Sequence, residues 1–177
     1  MSSGFGSASH LARRFAGSLW PRGPKPADEA WARSYLTEGE EALWAEMAGP
    51  DRRHAVAVAR RLVAAGQGNP GHHGDQGAKA AIPAALLHDV GKLECRFGPF
   101  RRAATTALAI AVGRDRLARG RGRMARYLRH DSLGAGLLER AGSEGLTVAW
   151  AREHHLPDDR WSVPQPLGAA LKAADDD

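Results

Sequence analysis

Histidine and aspartate side chains occur in this sequence in a pattern that suits a metal ion. The chain has eight histidines in 177 residues, and five lie on predicted helices or at helix ends: His54, His88, His130, His154 and His155. Asp89 directly follows His88 within the apolar segment AALLHDVGKLE. A carboxylate at the end of such a helix needs a partner, because burying an unpaired charge is costly. Imidazole nitrogens and carboxylate oxygens are ligands that suit zinc, manganese or iron.

The spacing of these residues restricts how they can share an ion. A catalytic metal centre needs three or more protein ligands and an open position for water. Neighbouring residues of an α-helix point about 100° apart, so His88 and Asp89 can share one ion only where the helix ends or bends. We expect Gly91 to supply that end. His54 would then come from an earlier helix and a further carboxylate from a later one.

The elements that must position these residues are helices. From Ala27 onward Ala, Leu, Glu and Arg dominate and β-branched runs are nearly absent, which favours helix. Pro26 suits the first position of a helix, Thr37 and Glu40 have the spacing of a capping box, and Asp51 can cap the third helix. We expect an all-α, compact multi-helix bundle of about eight helices. The predicted helices cover about 26–35, 38–48, 51–65, 79–90, 101–112, 123–130, 132–141, 144–155 and 166–175, with a loop over 66–78.

Length and composition predict one small domain. Hydrophobic residues make up 43% and charged residues 25%, and Cys95, the single cysteine, excludes an intrachain disulfide and a cysteine-based zinc finger. No stretch reaches the roughly 18 apolar residues of a membrane-spanning helix, and no secretory signal is evident. We therefore expect a cytoplasmic protein with no membrane partner. Residues 1–19 are expected to be disordered, and 20–49 to form a helical extension, either packed on the domain over 50–177 or making an oligomer contact.

The net positive charge of the chain indicates what kinds of partner it could bind. The formal net charge is +5 and the isoelectric point is near 10. A basic surface suits partners that carry phosphate, but aromatic residues are only 6% and are not interleaved with the charge, which argues against nucleic acid. The basic run from Arg114 to Arg126 either is a solvated face or lines the mouth of a site and attracts an anionic substrate.

Three segments together resemble the HD superfamily of metal-dependent phosphohydrolases. The pattern of that family is a histidine, then an adjacent His-Asp pair, then an aspartate that ends a late helix. Here DRRHAVAVARRL surrounds His54, AALLHDVGKLE contains the pair, and LGAALKAADDD contains Asp175. The lysine that often follows the pair is matched by Lys92. The resemblance covers about residues 50–177 and implies an HD-domain-like helical fold.

The resemblance implies a ligand set and roles for its members. His54, His88, Asp89 and Asp175 would hold one metal ion. The segment from 129 to 155 is similar to the extra part found in two-metal members of the family. In this chain the second ion would be held by His130, which lies four residues before the Gly134-Ala135 step, and by either His154 or His155. Asp89 would then bridge the two ions and accept or orient a proton of the attacking water. Lys92 follows His88 by four residues, so on a continuing helix it would lie on the same face as His88. There it would either meet a substrate phosphate or be a solvated lysine at the helix end.

The function implied is hydrolysis of a phosphate ester or anhydride. The cofactor would be one or two divalent ions of iron, manganese or zinc, and the substrate a small phosphorylated molecule such as a nucleotide, attacked by metal-activated water. The alternative is a non-catalytic HD-like helical module that binds a nucleotide or a partner protein. The sequence leaves the substrate, the number of ions and the oligomeric state open.

Overall fold

Helices build the part of the chain that the structure describes. The computed structural model describes residues 21–66, 75–95 and 97–176, which contain ten α-helices, two short 3₁₀ helices and no strand. The all-α prediction is therefore confirmed. The segment predicted to be disordered, 1–19, lies outside the described residues. The α-helices are α1 (Pro26–Arg33), α2 (Glu38–Glu46), α3 (Gly49–Ala64), α4 (Asp75–Leu87), α5 (Pro99–Val112), α6 (Arg114–Ala118), α7 (Arg123–Leu128), α8 (His130–Ala141), α9 (Gly145–Glu153) and α10 (Gln165–Asp176), and the 3₁₀ helices are Val90–Glu94 and Asp158–Arg160.

One hydrophobic core runs from α1 to α10. Its fully buried members include Trp44 of α2, Leu62 of α3, Leu138 of α8 and Leu171 of α10. The N-terminal pair α1 and α2 packs on the rest of the chain, and Trp44 also donates a hydrogen bond of 2.9 Å to Glu29. Of the predicted helical extension over 20–49, the structure describes 21–49, and this part packs on the core through Ala32, Trp44 and Met47.

Local sequence signals explain several helix ends and miss others. The capping box of Thr37 and Glu40 is present as predicted. Asp51 does not cap α3, because Ala48 occupies the N-cap position and the Asp51 side chain turns to a buried ion pair with Arg102. Of the predicted loop over 66–78, residues 67–74 lie outside the described residues, and 75–78 belong instead to α4, which begins at Asp75 and contains Pro83. The short helix α6 was not predicted within its glycine-flanked basic run.

None of the helices in the described ranges is both long enough and apolar enough to cross a membrane.

Candidate metal centre

Five segments of the fold bring the predicted ligands to one place. His54 lies on α3, the His88-Asp89 pair in the turn between α4 and the first 3₁₀ helix, and Asp175 near the end of α10. His130 begins α8, and His154 and His155 follow α9. Five of these seven residues are at most 5% exposed: His88, Asp89, His130, His154 and Asp175. Residues up to 121 positions apart in sequence therefore meet in a buried cluster.

The first group consists of His54, His88 and Asp175, whose ligand atoms all lie within 4.8 Å of one another. The Asp175 Oδ1 atom is 2.9 Å from His54 Nε2 and 3.7 Å from His88 Nε2. Ligands at about 2.0–2.2 Å from one ion are themselves about 3.0–3.5 Å apart, so these separations are close to those of a shared ion. This group could hold a metal ion.

The second group consists of His130, His154 and His155, again with ligand atoms within 4.8 Å of one another. The Nε2 atoms of His130 and His155 are 3.2 Å apart. The sequence left open which member of the 154–155 pair faces the site, and the structure places both there. Because imidazole is a favoured ligand of zinc and iron, this group could also hold an ion.

Asp89 lies between the two groups and offers one oxygen to each. Its Oδ2 atom is 3.5 Å from His88 Nε2, whereas its Oδ1 atom is 3.3 Å from His130 Nε2 and 3.9 Å from His154 Nε2. A carboxylate in this position can contact two neighbouring ions through different oxygens. The geometry therefore suits the bridging role that the resemblance implies for Asp89.

Backbone carbonyls orient three of the imidazole rings. The Nδ1 atoms of His88 and His130 lie 2.8 and 2.7 Å from the carbonyl oxygens three residues earlier, and that of His154 lies 3.0 Å from the Ala151 carbonyl oxygen. Donation from Nδ1–H leaves the Nε2 lone pair directed into the cluster, as in most metal-binding histidines. The buried Nε2 atoms of His88 and His154 have no hydrogen-bond partner in the described part of the chain. An ion would satisfy both atoms, so the donor set fits a metal.

Burial and mutual charge shift the pKa values within the cluster. Burial by itself would raise the pKa of Asp89, but Lys92 and His88 hold this pKa well below its usual range. Burial would lower the pKa of His88, and the carboxylates of Asp89 and Asp175 outweigh it and raise the pKa. Burial, with the charge of His88, lowers the pKa of His154 to about 3. A neutral His154 and an ionised Asp89 are the forms in which these side chains bind metals.

The turn at the His88-Asp89 pair depends on a close approach of α8. The sequence predicted that the helix ends at Gly91, but α4 ends at Leu87 and Gly91 lies inside the 3₁₀ helix. A Cβ atom on Gly91 would overlap the carbonyl oxygen of His130 and lie 2.6 Å from the backbone nitrogen of Gly134. Glycine is needed because α8 packs directly on this backbone, which brings His130 next to Asp89.

The C-terminal end of α10 is held against α3. The Arg61 side chain donates a 2.7 Å hydrogen bond to the carbonyl oxygen of Ala174, next to the candidate ligand Asp175. Asp176, by contrast, is exposed and pairs with Lys172 at 2.9 Å. The structure therefore brings Asp175, and not Asp176, into the cluster.

Lys92 does not lie where a continuing helix would place it. Because the backbone changes to a 3₁₀ helix after the pair, the Lys92 ammonium group contacts Asp89 Oδ2 three residues earlier. Lys92 also lines a cavity of about 460 Å³ beside Asp89. The walls of this cavity include Asp51, Phe97 and Arg102, which sequence reasoning did not assign to the site. Asp51 was interpreted as a helix cap, and Arg102 carries no sequence signal that distinguishes it from the other arginines.

Comparisons of the chain with protein-family models, with curated proteins and with solved structures found no match. Membership of the HD superfamily therefore stays a prediction from the motifs. Independently of that prediction, the structure shows two buried groups of histidine and aspartate that could hold metal ions, with Asp89 between them.

Proposed function

We propose that this chain is a metal-dependent phosphohydrolase with two divalent ions, iron, manganese or zinc, acting on a nucleotide or a related small phosphate ester. The observation that carries the proposal is the position of Asp89, with one carboxylate oxygen toward each group of histidines. His54, His88 and Asp175 would hold the first ion, and His130 with His154 and His155 the second. A structural role for all these residues would leave the buried Nε2 atom of His154 without a hydrogen-bond partner among the described residues, which is costly, and that of His88 with only longer contacts of 3.5 and 3.7 Å to the carboxylates of Asp89 and Asp175.

When bound, two metal ions would supply Lewis acidity toward a phosphoryl group and would lower the pKa of water enough to provide a nucleophile at neutral pH. The side chains then divide the remaining tasks. Asp89 lies between the two groups, and its ionised carboxylate can accept a proton from water. Lys92 contacts Asp89 and lines the neighbouring cavity, so its ammonium group can also donate to a phosphate oxygen.

The cavity beside Asp89 suits a small substrate and depends on the ions for its charge. Its volume of about 460 Å³ is in the range of small-molecule sites. Its ionisable walls are Glu46, Asp51 and Asp89 against Lys92 and Arg102. Three acidic groups against two basic ones do not attract a phosphate by themselves. We therefore expect an anionic substrate to bind here only when the metal ions are present.

Elemental analysis of the purified protein beside its Asp89→Ala variant tests the proposal. We expect close to two equivalents of metal in the wild type and a loss of both in the variant, together with loss of phosphatase activity but retention of helicity in circular dichroism. The matched control is Asp158→Ala, an exposed aspartate outside the cluster, which should retain both. Turnover by Asp89→Ala would contradict the hydrolase assignment. A wild type that binds no metal after reconstitution would favour the non-catalytic binding module.

A second variant separates substrate binding from metal binding. Lys92→Gln should keep the metal content and lower kcat/KM by about tenfold or more, because a hydrogen bond to a charged phosphate contributes about 1.5–3 kcal/mol. Lys172→Gln, which removes a half-buried lysine paired with Asp176, is the control and should change neither quantity. Unchanged kcat/KM in Lys92→Gln would show that this lysine only neutralises Asp89.

A further inference from the structure

The helix α5 is amphipathic in the opposite sense to an ordinary surface helix. Its buried positions include Thr105, at 3% exposure, and Ala109. Its exposed side carries Leu108, Ile110 and Val112, at 39%, 57% and 42% exposure. A surface helix normally turns its apolar side to the core and its polar side to water. In the described part of α5 only one exposed residue, Arg101, is charged. The nine exposed residues are Phe100, Arg101, Ala103, Ala104, Ala107, Leu108, Ile110, Ala111 and Val112.

The segment that contains this helix is also the most basic part of the chain. Residues 99–129 hold nine arginines and one acidic residue, Asp115, so their formal charge is +8, whereas the whole chain is only +5. Two of these arginines are partly neutralised, because Arg102 pairs with Asp51 and Arg114 with Asp131. All seven of the others are exposed: Arg101, Arg116, Arg119, Arg121, Arg123, Arg126 and Arg129.

The exposed apolar side chains and the exposed arginines lie in the same segment of the chain. All five of the large hydrophobic side chains that are exposed in the described ranges lie within 99–129: Phe100, Leu108, Ile110, Val112 and Met124. Exposed apolar surface of this kind usually marks an interaction site. We propose that residues 99–129 form a surface that docks on an anionic lipid bilayer, with the apolar side of α5 entering the interface and the arginines binding the headgroups.

Charge favours this occupant over two others. A second copy of the chain would bring two strongly positive segments together, which costs free energy. Single-stranded nucleic acid is bound through aromatic stacking, but the segment contains only two aromatic residues, Phe100 and Tyr127, and exposes aliphatic side chains instead. Aliphatic side chains beside clustered arginines are the composition of helices that lie in a membrane interface. The expectation of no membrane partner was based on the lack of a spanning segment, which this mode of binding does not require.

Cosedimentation of the full chain with lipid vesicles tests the proposal independently of the hydrolase function. We expect binding to phosphatidylcholine vesicles that contain about one-third phosphatidylglycerol, weaker binding in high salt, and none to phosphatidylcholine alone. The double variant Leu108→Gln/Ile110→Gln should lower the partition coefficient by about tenfold. Arg116→Gln/Arg119→Gln should lower it by about tenfold or more. The matched control is Arg140→Gln/Arg160→Gln, which removes the same charge at exposed sites elsewhere and should bind like the wild type.

Three outcomes would overturn the proposal. One is the absence of binding to the anionic vesicles. The second is binding that the apolar double variant retains in full, above all if a single-stranded RNA binds equally well, because the segment would then attract polyanions by charge alone. The third is a concentration-dependent dimer that the apolar variant abolishes while vesicles are not bound, because a second copy would then cover α5. Circular dichroism of each variant shows whether the fold is retained.

Discussion

Replacing Gly91 with alanine should damage one half of the candidate metal centre. The backbone at Gly91 has no positive φ, so alanine is compatible with its conformation and the whole effect is steric. The added Cβ would lie 2.6 Å from the Gly134 nitrogen, where ordinary contacts are 3.4 Å or more. Backbone cannot rotate away as a flexible side chain can, and the His130 carbonyl oxygen would be even closer to this Cβ than the Gly134 nitrogen, so α8 must move by more than about 0.8 Å from the 3₁₀ helix.

This displacement has a stability cost and a metal-binding cost. Forcing an extra methyl group into a packed interior typically costs about 1–3 kcal/mol, so the free energy of unfolding of the metal-free protein should fall by that amount. His130 begins α8, and its Nε2 atom is 3.3 Å from Asp89 Oδ1. Metal sites tolerate ligand distances only within about 0.2 Å, so Gly91→Ala should lose the second ion and keep the first.

Urea denaturation in the presence of a chelator, followed by elemental analysis after reconstitution, measures both effects. The matched control is Gly136→Ala on the same helix, where the added Cβ meets only the end of the Arg140 side chain at 3.5 Å. This variant should be as stable as the wild type or up to about 1 kcal/mol more stable, because alanine favours helix over glycine. Wild-type stability and metal content in Gly91→Ala would refute the assigned role of the close approach.

Two further predictions concern ion pairing and pH. Asp51→Asn should lower the free energy of unfolding by about 1–3 kcal/mol, because it leaves the mostly buried Arg102 guanidinium without its carboxylate; the control Asp28→Asn, which breaks the more exposed pair with Arg60, should change it by at most about 1 kcal/mol. Equal losses in both variants would contradict this reasoning. The metal-free protein should lose stability as the pH falls from 6 to 4.5. The pKa of His154 is about 3 in the folded chain against 6.5 ordinarily, so the unfolded chain binds a proton that the folded one excludes. A histidine with such a lowered pKa contributes at most about 1.4 kcal/mol per pH unit to the slope of the free energy of unfolding against pH. This slope, measured by urea denaturation, should be smaller in His154→Gln. An unchanged slope would exclude His154 as a source of the pH dependence.

Much of the helical architecture follows from local composition. Alanine- and leucine-rich runs, together with the Thr37–Glu40 capping box, predict most helices to within a few residues, because helix propensity and capping act over short distances. The same local signals misplaced the start of α4 and the end at the His88-Asp89 pair. Asp75 begins α4 ahead of Pro83, and packing of α8 on Gly91 accompanies the switch to a 3₁₀ helix. Contacts of this kind are not encoded within any short window of sequence.

The sequence by itself determined the types and order of the candidate ligands. His54, the His88-Asp89 pair and Asp175 could be named from their motifs, because the chemistry of imidazole and carboxylate does not depend on where they meet. Only the tertiary structure decided that the ligands form two groups with Asp89 between them. It also showed that both His154 and His155 face the cluster and that Lys92 turns back to Asp89. These outcomes depend on packing between residues far apart in sequence, since an ion or a charged group responds to distances of a few ångströms in space and not to spacing along the chain.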